Sequence, residues 1–163
     1  FLTFNNTDFL DYEVGQSTAG GFDAYMDSGD QYLSINGNQW IAVPLNYTVT
    51  GETILEFDFY SPVQGDIHGI GLDTDLSSTT QRRFKLYGTA SSSSETEDYQ
   101  DYFDGNSALA RSWTHYRIPL GKHYAQSGLI GEANYLFFIN DDAGESAESI
   151  YKNIRVYEDG TQP

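Results

Sequence analysis

The 163-residue chain contains no cysteine, a single methionine and four prolines, and its first 81 residues hold neither lysine nor arginine. The missing cysteine excludes a disulfide framework, a thiol nucleophile and a thiolate metal site. No apolar run reaches the ~18 residues of a membrane-crossing helix. Basic side chains are scarce throughout, 8 against 24 acidic ones, for a formal charge of −16. Phosphate-rich nucleic acid and the anionic face of a membrane would be repelled, so neither is expected as a partner. No stretch of ten or more residues carries a clean helical period with caps.

Aromatic residues are plentiful, with 13 Tyr and 10 Phe. Such a chain has enough strand-forming and core-forming side chains to fold despite its charge. Short alternating runs recur between clusters of Gly, Ser, Asn and Asp. In Trp40–Thr50, Ile41, Val43, Leu45, Tyr47 and Val49 share one face. In Thr53–Tyr60, Leu55, Phe57 and Phe59 alternate with Glu56 and Asp58; in Ile67–Asp73, His68, Ile70 and Leu72 oppose Ile67, Gly69, Gly71 and Asp73. Arg83–Tyr87, Trp113–Leu120 (burying Tyr116, Ile118 and Leu120) and Ile150–Tyr157 follow the same rule, and Tyr135–Asn140, apolar on both faces, reads as a central strand. With Thr3–Phe4 and Tyr32–Ile35, these predict an all-β sandwich, a jelly roll of about nine short antiparallel strands over residues 1–158. Residues 159–163 read as the start of a linker or tail. A Ser- and acid-rich insertion runs from Thr89 to Ser112.

The residues suggest several kinds of chemistry. Glu56 and Asp58 project from one strand face, as the two carboxylates of a glycosidase must. The run Leu55-Glu-Phe-Asp-Phe59 resembles the catalytic strand of laminarinase-type endoglucanases, but Tyr60-Ser-Pro62 supplies no further carboxylate. His68 with Tyr87 resembles the acid and base of jelly-roll alginate lyases, yet Asp66 replaces their glutamine and His68 falls on the Ile70/Leu72 core face. His115 and His123 lack metal-ligand spacing. A binding groove accounts for more residues. Gly69 and Gly71 let a ligand approach the backbone. Arg83, Lys85 and Tyr87 on the next strand, with Asp73 and Trp40, combine an aromatic platform with charged hydrogen-bonding groups suited to sugars. Tyr99 and Tyr102 of the insertion are candidates either to close over one end or to pack back on the sandwich. Asp27-Ser-Gly-Asp30 is among several acidic clusters offering hard oxygen ligands for Ca²⁺.

The series Leu33-Ser-Ile-Asn-Gly-Asn-Gln-Trp40, Thr53–Phe59, Ile67–Asp73, Trp113–Gly121, Phe138–Asp142 and Ile150–Glu158 resembles the non-catalytic carbohydrate-binding modules of β-jelly-roll type. Such modules are appended to secreted, often marine, polysaccharide-degrading enzymes. The resemblance implies a secreted module that binds a plant or algal polysaccharide and carries an appended catalytic domain to it, without catalysis of its own. It also implies a structural Ca²⁺, held by Asp27, Gly29 and Asp30 against the last strand, where Asn153 stands in place of the usual aspartate. In such modules the tryptophan corresponding to Trp113 is packed, so Trp40 and Tyr87 are expected to touch sugar. The alternatives are a small polysaccharide lyase or hydrolase, and a protein-binding or adhesin sandwich.

Overall fold

Nine antiparallel strands, one short α-helix and two 3₁₀ turns form among the described residues of a computed structural model, which covers 1–90, 99–103 and 112–160. They are β1 (Leu10–Asp11), β2 (Ala19–Asp27), β3 (Asp30–Val49), β4 (Thr53–Val63), β5 (Ile67–Asp73), β6 (Phe84–Tyr87), β7 (Thr114–Ile118), α1 (Leu120–Gln126), β8 (Gly131–Asp141) and β9 (Glu148–Glu158). The hydrogen-bonded order β6-β5-β8-β3-β9-β4-β7, with β1 and β2 added on β3, is one strongly curled sheet folded into two layers. The expected β-sandwich of jelly-roll type is therefore the observed one.

Strand β3 belongs to both layers. Its first half pairs with β2 and β9, and its second half with β8 and β1. The sequence pattern splits this strand in two because Asn36-Gly-Asn-Gln39 interrupts its apolar alternation without changing its parity. Gly37 and its partner Gly20 both have φ of +85°, and a Cβ on Gly37 would lie 2.5 Å from the Ala19 carbonyl oxygen. Only glycine suits that crossing point.

Leu33, Ile35, Phe57, Phe59, Ile70, Leu72, Phe84, Phe138 and Tyr151 fill the space between the layers. A second cluster of Tyr12, Trp40, Ala42, Ile67, Phe137 and Ile139 covers the opposite face of the β5/β8 layer. Tyr12 stacks on Phe137 with ring centroids 4.4 Å apart. That layer is thus buried on both sides, and every residue of β5 and β6 is buried.

One local feature departs from the expectation: Leu120, expected to end a strand, begins the short helix α1. Leu120 and Tyr124 open and close the buried face of α1, and Leu129 N–H returns to the Tyr124 carbonyl at 2.8 Å to end it. Asp159 pairs with Arg117 at 3.1 Å and its N–H bonds to the Glu52 carbonyl. Residues 161–163 lie outside the described ones.

Candidate functional site

The groove expected on β5 and β6 is filled by protein. The Arg83 side chain lies over Gly69, and the Phe137 ring and the Arg82 carbonyl stand where a Cβ on Gly71 would be. Glycine here admits neighbouring protein groups rather than a ligand. Trp40, only 6% exposed, lies in the second core cluster beneath the Arg83 guanidinium, 5.4 Å from its ring. Asp73 is buried, accepting the Tyr12 hydroxyl at 2.6 Å and facing Arg82 Nε at 3.4 Å. Lys85 is buried too; its ammonium donates to the Ala90 carbonyl at 2.5 Å and stands 4.8 Å from the Phe103 ring. Tyr87 is 1% exposed and leaves the Arg83/Lys85 face altogether. The register slips between His68 and Gly69, so Tyr87 pairs with His68 and turns into the core. A bulge of this kind re-aims a side chain and breaks the period-two reading.

Tyr99 and Tyr102 also pack inward. The Tyr99 ring stacks on Phe84 at 4.6 Å and its hydroxyl bonds to the His123 carbonyl, while the Tyr102 hydroxyl meets His123 Nε2 at 2.9 Å. Most of the rest of the insertion, 91–98 and 104–111, lies outside the described residues.

The calcium donors form something else. Asp27 pairs with Asp30 across a two-residue turn in which Ser28 and Gly29 both have positive φ, the geometry of a type I′ hairpin. The Asn153 amide nitrogen donates to Asp30 at 2.8 Å, and its oxygen accepts the Gln31 N–H at 3.0 Å. An N–H donor thus occupies the position a cation would need, and this donor set does not fit calcium. No group of three His, Asp or Glu side chains suited to a metal occurs among the described residues.

Aromatic side chains instead gather on the outer face of the β2-β3-β9-β4-β7 layer. Tyr25 of β2 stacks on Tyr32 of β3, centroids 5.1 Å apart and planes within 4°. Tyr32 meets Trp113 edge-on at 6.1 Å, and Trp113 lies 5.6 Å from Tyr60 of β4. Tyr25 and Trp113 are 39% and 40% exposed. Lys152 of β9 lies within the row, its ammonium 5.0 Å from Trp113 and 5.9 Å from Tyr32. The sequence carried the signal for this row. Trp113 shares its parity with His115 and Arg117, opposite the buried Tyr116 and Ile118, and Tyr60 shares its parity with Glu56 and Asp58. Trp40 and Trp113 exchange the places expected of them.

Beside the row lies a pocket of about 210 Å³ lined by Phe1, Glu56, Asp58, His115, Asn153 and Arg155. His115 bridges the two carboxylates expected to be paired on β4, with Nδ1 at 2.7 Å from Asp58 and Nε2 at 2.8 Å from Glu56. Both contacts favour the imidazolium, and chiefly the Asp58 bond raises the His115 pKa above its usual value. Burial alone would push the Glu56 carboxyl up, but the Tyr157 hydroxyl, His115 and Arg155 outweigh it and hold the group below the ordinary range. A second pocket, about 270 Å³, lies between Leu2–Phe4 with Asp8 and Val43–Leu45 of β3, and offers one carboxylate as its sole ionisable side chain.

His68 is a core residue, as its parity implied. Its Nε2 accepts the Gly65 N–H at 2.8 Å, so Nδ1 carries the proton and donates to Ser149 Oγ at 2.7 Å. Ser149 passes the chain to the Asn140 side-chain oxygen, and Asn140 donates to the Gly37 and Ala147 carbonyls.

The sequence matches no protein-family model and no curated protein. Its fold is similar to part of the Endo-D glycoside hydrolase domain of Streptococcus pneumoniae R6, at 17% identity and a TM-score of 0.46; 92% of this chain aligns, but it spans only 22% of that one. It is similar to the family 30 carbohydrate-binding module of a cellulosomal cellulase of Clostridium thermocellum, at 14% identity and a TM-score of 0.44, over 91% of this chain and 90% of that one. It is also similar to a family 12 xyloglucanase of Bacillus licheniformis, at 10% identity and a TM-score of 0.48, over 95% and 94%. At these identities the likeness is one of jelly-roll architecture, which binding modules and hydrolases share.

Proposed function

We propose that the chain is a non-catalytic glycan-binding module and that the exposed row Tyr25–Tyr32–Trp113–Tyr60 is its binding surface. The observation that carries this reading is the row itself. Four aromatic rings from β2, β3, β4 and the entry to β7 lie in mutual contact on an outer sheet face. A soluble protein has little reason to leave such a surface open unless something stacks on it. Sugar rings suit it, because their C–H faces match aromatic faces while their hydroxyls reach Lys152, Glu56 and Asp58 alongside.

The neighbouring carboxylates favour binding over hydrolysis. A glycosidase acid must stay protonated near neutral pH, which requires a raised pKa. Glu56 is instead held low by three donors, and Asp58 is occupied by His115. On this reading the chain works outside the cell and carries an appended enzyme to polysaccharide. Affinity electrophoresis through polysaccharide gels, paired with a reducing-end assay on the same polymers, tests it. Retardation without release of new ends is the expected result. Release of ends would establish an enzyme, and the absence of retardation on every glycan would point to a protein-binding sandwich.

A further inference from the structure

We propose that the glycan is an acidic one, bearing carboxylate or sulfate ester groups, and that Lys152 is the residue that reads the acid; this rests on the stacking role given to the aromatic row. The Lys152 ammonium stands between two ring faces, 5.0 Å from Trp113 and 5.9 Å from Tyr32. Aromatic faces attract a cation but supply no counter-charge. Its register partners are Tyr32 on one side and Asp58 on the other. Asp58 is already taken by His115 at 2.7 Å, and Glu56 by Arg155 at 3.0 Å and His115. Glu56 is therefore compensated by Arg155 and Asp58 is engaged in its hydrogen bond to His115, so both are turned to partners of their own rather than to Lys152.

Lys152 differs from the cations that are ion-paired in this fold. Arg82 faces Asp73, Arg117 faces Asp159 and Arg155 faces Glu56, whereas no carboxylate among the described residues lies within 4.0 Å of the Lys152 ammonium. In a chain of net charge −16, a half-buried ammonium without an ion-pair partner among the described residues stands at the centre of the open aromatic surface. A sugar stacked on Trp113 brings its ring substituents to that ammonium. A hydroxyl there gains an ordinary hydrogen bond; a carboxylate or sulfate gains a charge-assisted one, shorter and about twice as strong. Uronates and sulfate esters share this chemistry, and the test separates them.

Wild type, Lys152→Gln and Trp113→Ala are run through gels containing polygalacturonate, its carboxyl-reduced neutral form, or a sulfated galactan. Wild type is expected to bind an acidic polymer about tenfold more tightly than the neutral one. That retention should fall several-fold as ionic strength rises from roughly 0.02 to 0.5 M. Lys152→Gln is expected to lose about tenfold on the acidic polymer and less than about twofold on the neutral one, with an unchanged melting temperature. Selective retention by polygalacturonate assigns a carboxylate, and by the galactan a sulfate ester; either supports the proposal. Equal retention by neutral and acidic polymers, indifferent to salt and to Lys152→Gln yet lost in Trp113→Ala, overturns the acidic class and leaves the stacking row standing. Retention by none of the three overturns the proposal, and Trp113→Ala behaving as wild type on a polymer that does retain overturns the row beneath it.

Discussion

The hydroxyl of Tyr12 donates a 2.6 Å hydrogen bond to the carboxylate of Asp73, 61 residues away, and both side chains are buried. That contact closes the surface over β5. Tyr12 lays its ring on Phe137 and hands Asp73 the donor that its burial demands, with Arg82 as counter-ion. Tyr12→Phe keeps the ring and removes the donor. It is expected to cost about 2 kcal/mol of stability in chemical denaturation, as for a buried hydrogen bond to a charged group. Glycan retention should be unaffected. Altered retention at unchanged stability would place the binding surface on β5 after all.

Trp113 and Tyr87 make opposite predictions. Trp113→Ala removes the central ring of an exposed row and is expected to abolish glycan retardation, with a stability change within about 1 kcal/mol. Tyr87→Ala opens a cavity in the core and is expected to cost roughly 3–5 kcal/mol. Any loss of binding in Tyr87→Ala should follow the unfolded fraction measured by circular dichroism. A folded Tyr87→Ala protein that no longer binds would move the site to β6.

What could be read from the sequence was the alternation, and through it the strands, the core face of β5 and the inward turn of His68. Parity says which residues share a face, but not what covers the other one. The Gly69/Gly71/Asp73 face reads as open because its cover comes from Tyr12, Phe137 and Arg83, which are remote along the chain or on another strand. The slip at His68/Gly69 that turns Tyr87 inward has no marker in Arg83-Phe-Lys-Leu-Tyr87. The aromatic row is the reverse case. Its parities were legible for Tyr60 and Trp113, but its assembly depends on β9 placing Lys152 between β3 and β4, a pairing that no local pattern records.

Chelation offers a direct check on the hairpin at Ser28-Gly29. Because Asn153 presents an N–H to Asp30 and spends its oxygen on Gln31, no cation is expected between β2 and β9. Excess EDTA should leave the melting temperature where it was, and added Ca²⁺ should not raise it. A reversible fall on chelation would require Asn153 to turn its oxygen to a metal. Asn153→Asp, which restores the carboxylate, is the variant in which calcium dependence is expected to emerge.

His68 in the core and His115 on the outer face should tilt stability in opposite directions with pH. Burial depresses the His68 pKa to about 4, whereas the unfolded chain titrates near ~6.5. Between those values the unfolded state binds the additional proton, so stability falls as pH drops from ~6.5 toward 4, by roughly 3 kcal/mol at most. His115 is raised by Asp58 and Glu56, so its contribution is complete below ~6.5 and lost as pH rises through its folded value. Its ring is more than half exposed, so that limb should be shallow. Urea midpoints measured from pH 4.5 to 9 should therefore peak near ~6.5, with the steeper slope on the acid side. His115→Gln should flatten the alkaline limb alone. His68→Gln should shrink the acid limb above pH 4.5 to the share of His123, whose pKa burial also lowers, while lowering the whole curve, since Gly65 and Ser149 lose their partner. Should that variant fail to fold, Ser149→Ala keeps the imidazole and removes the acceptor of its proton, and the acid limb should persist. A wild-type curve flat between pH 4.5 and 6.5 would mean that His68 is not held neutral in the core.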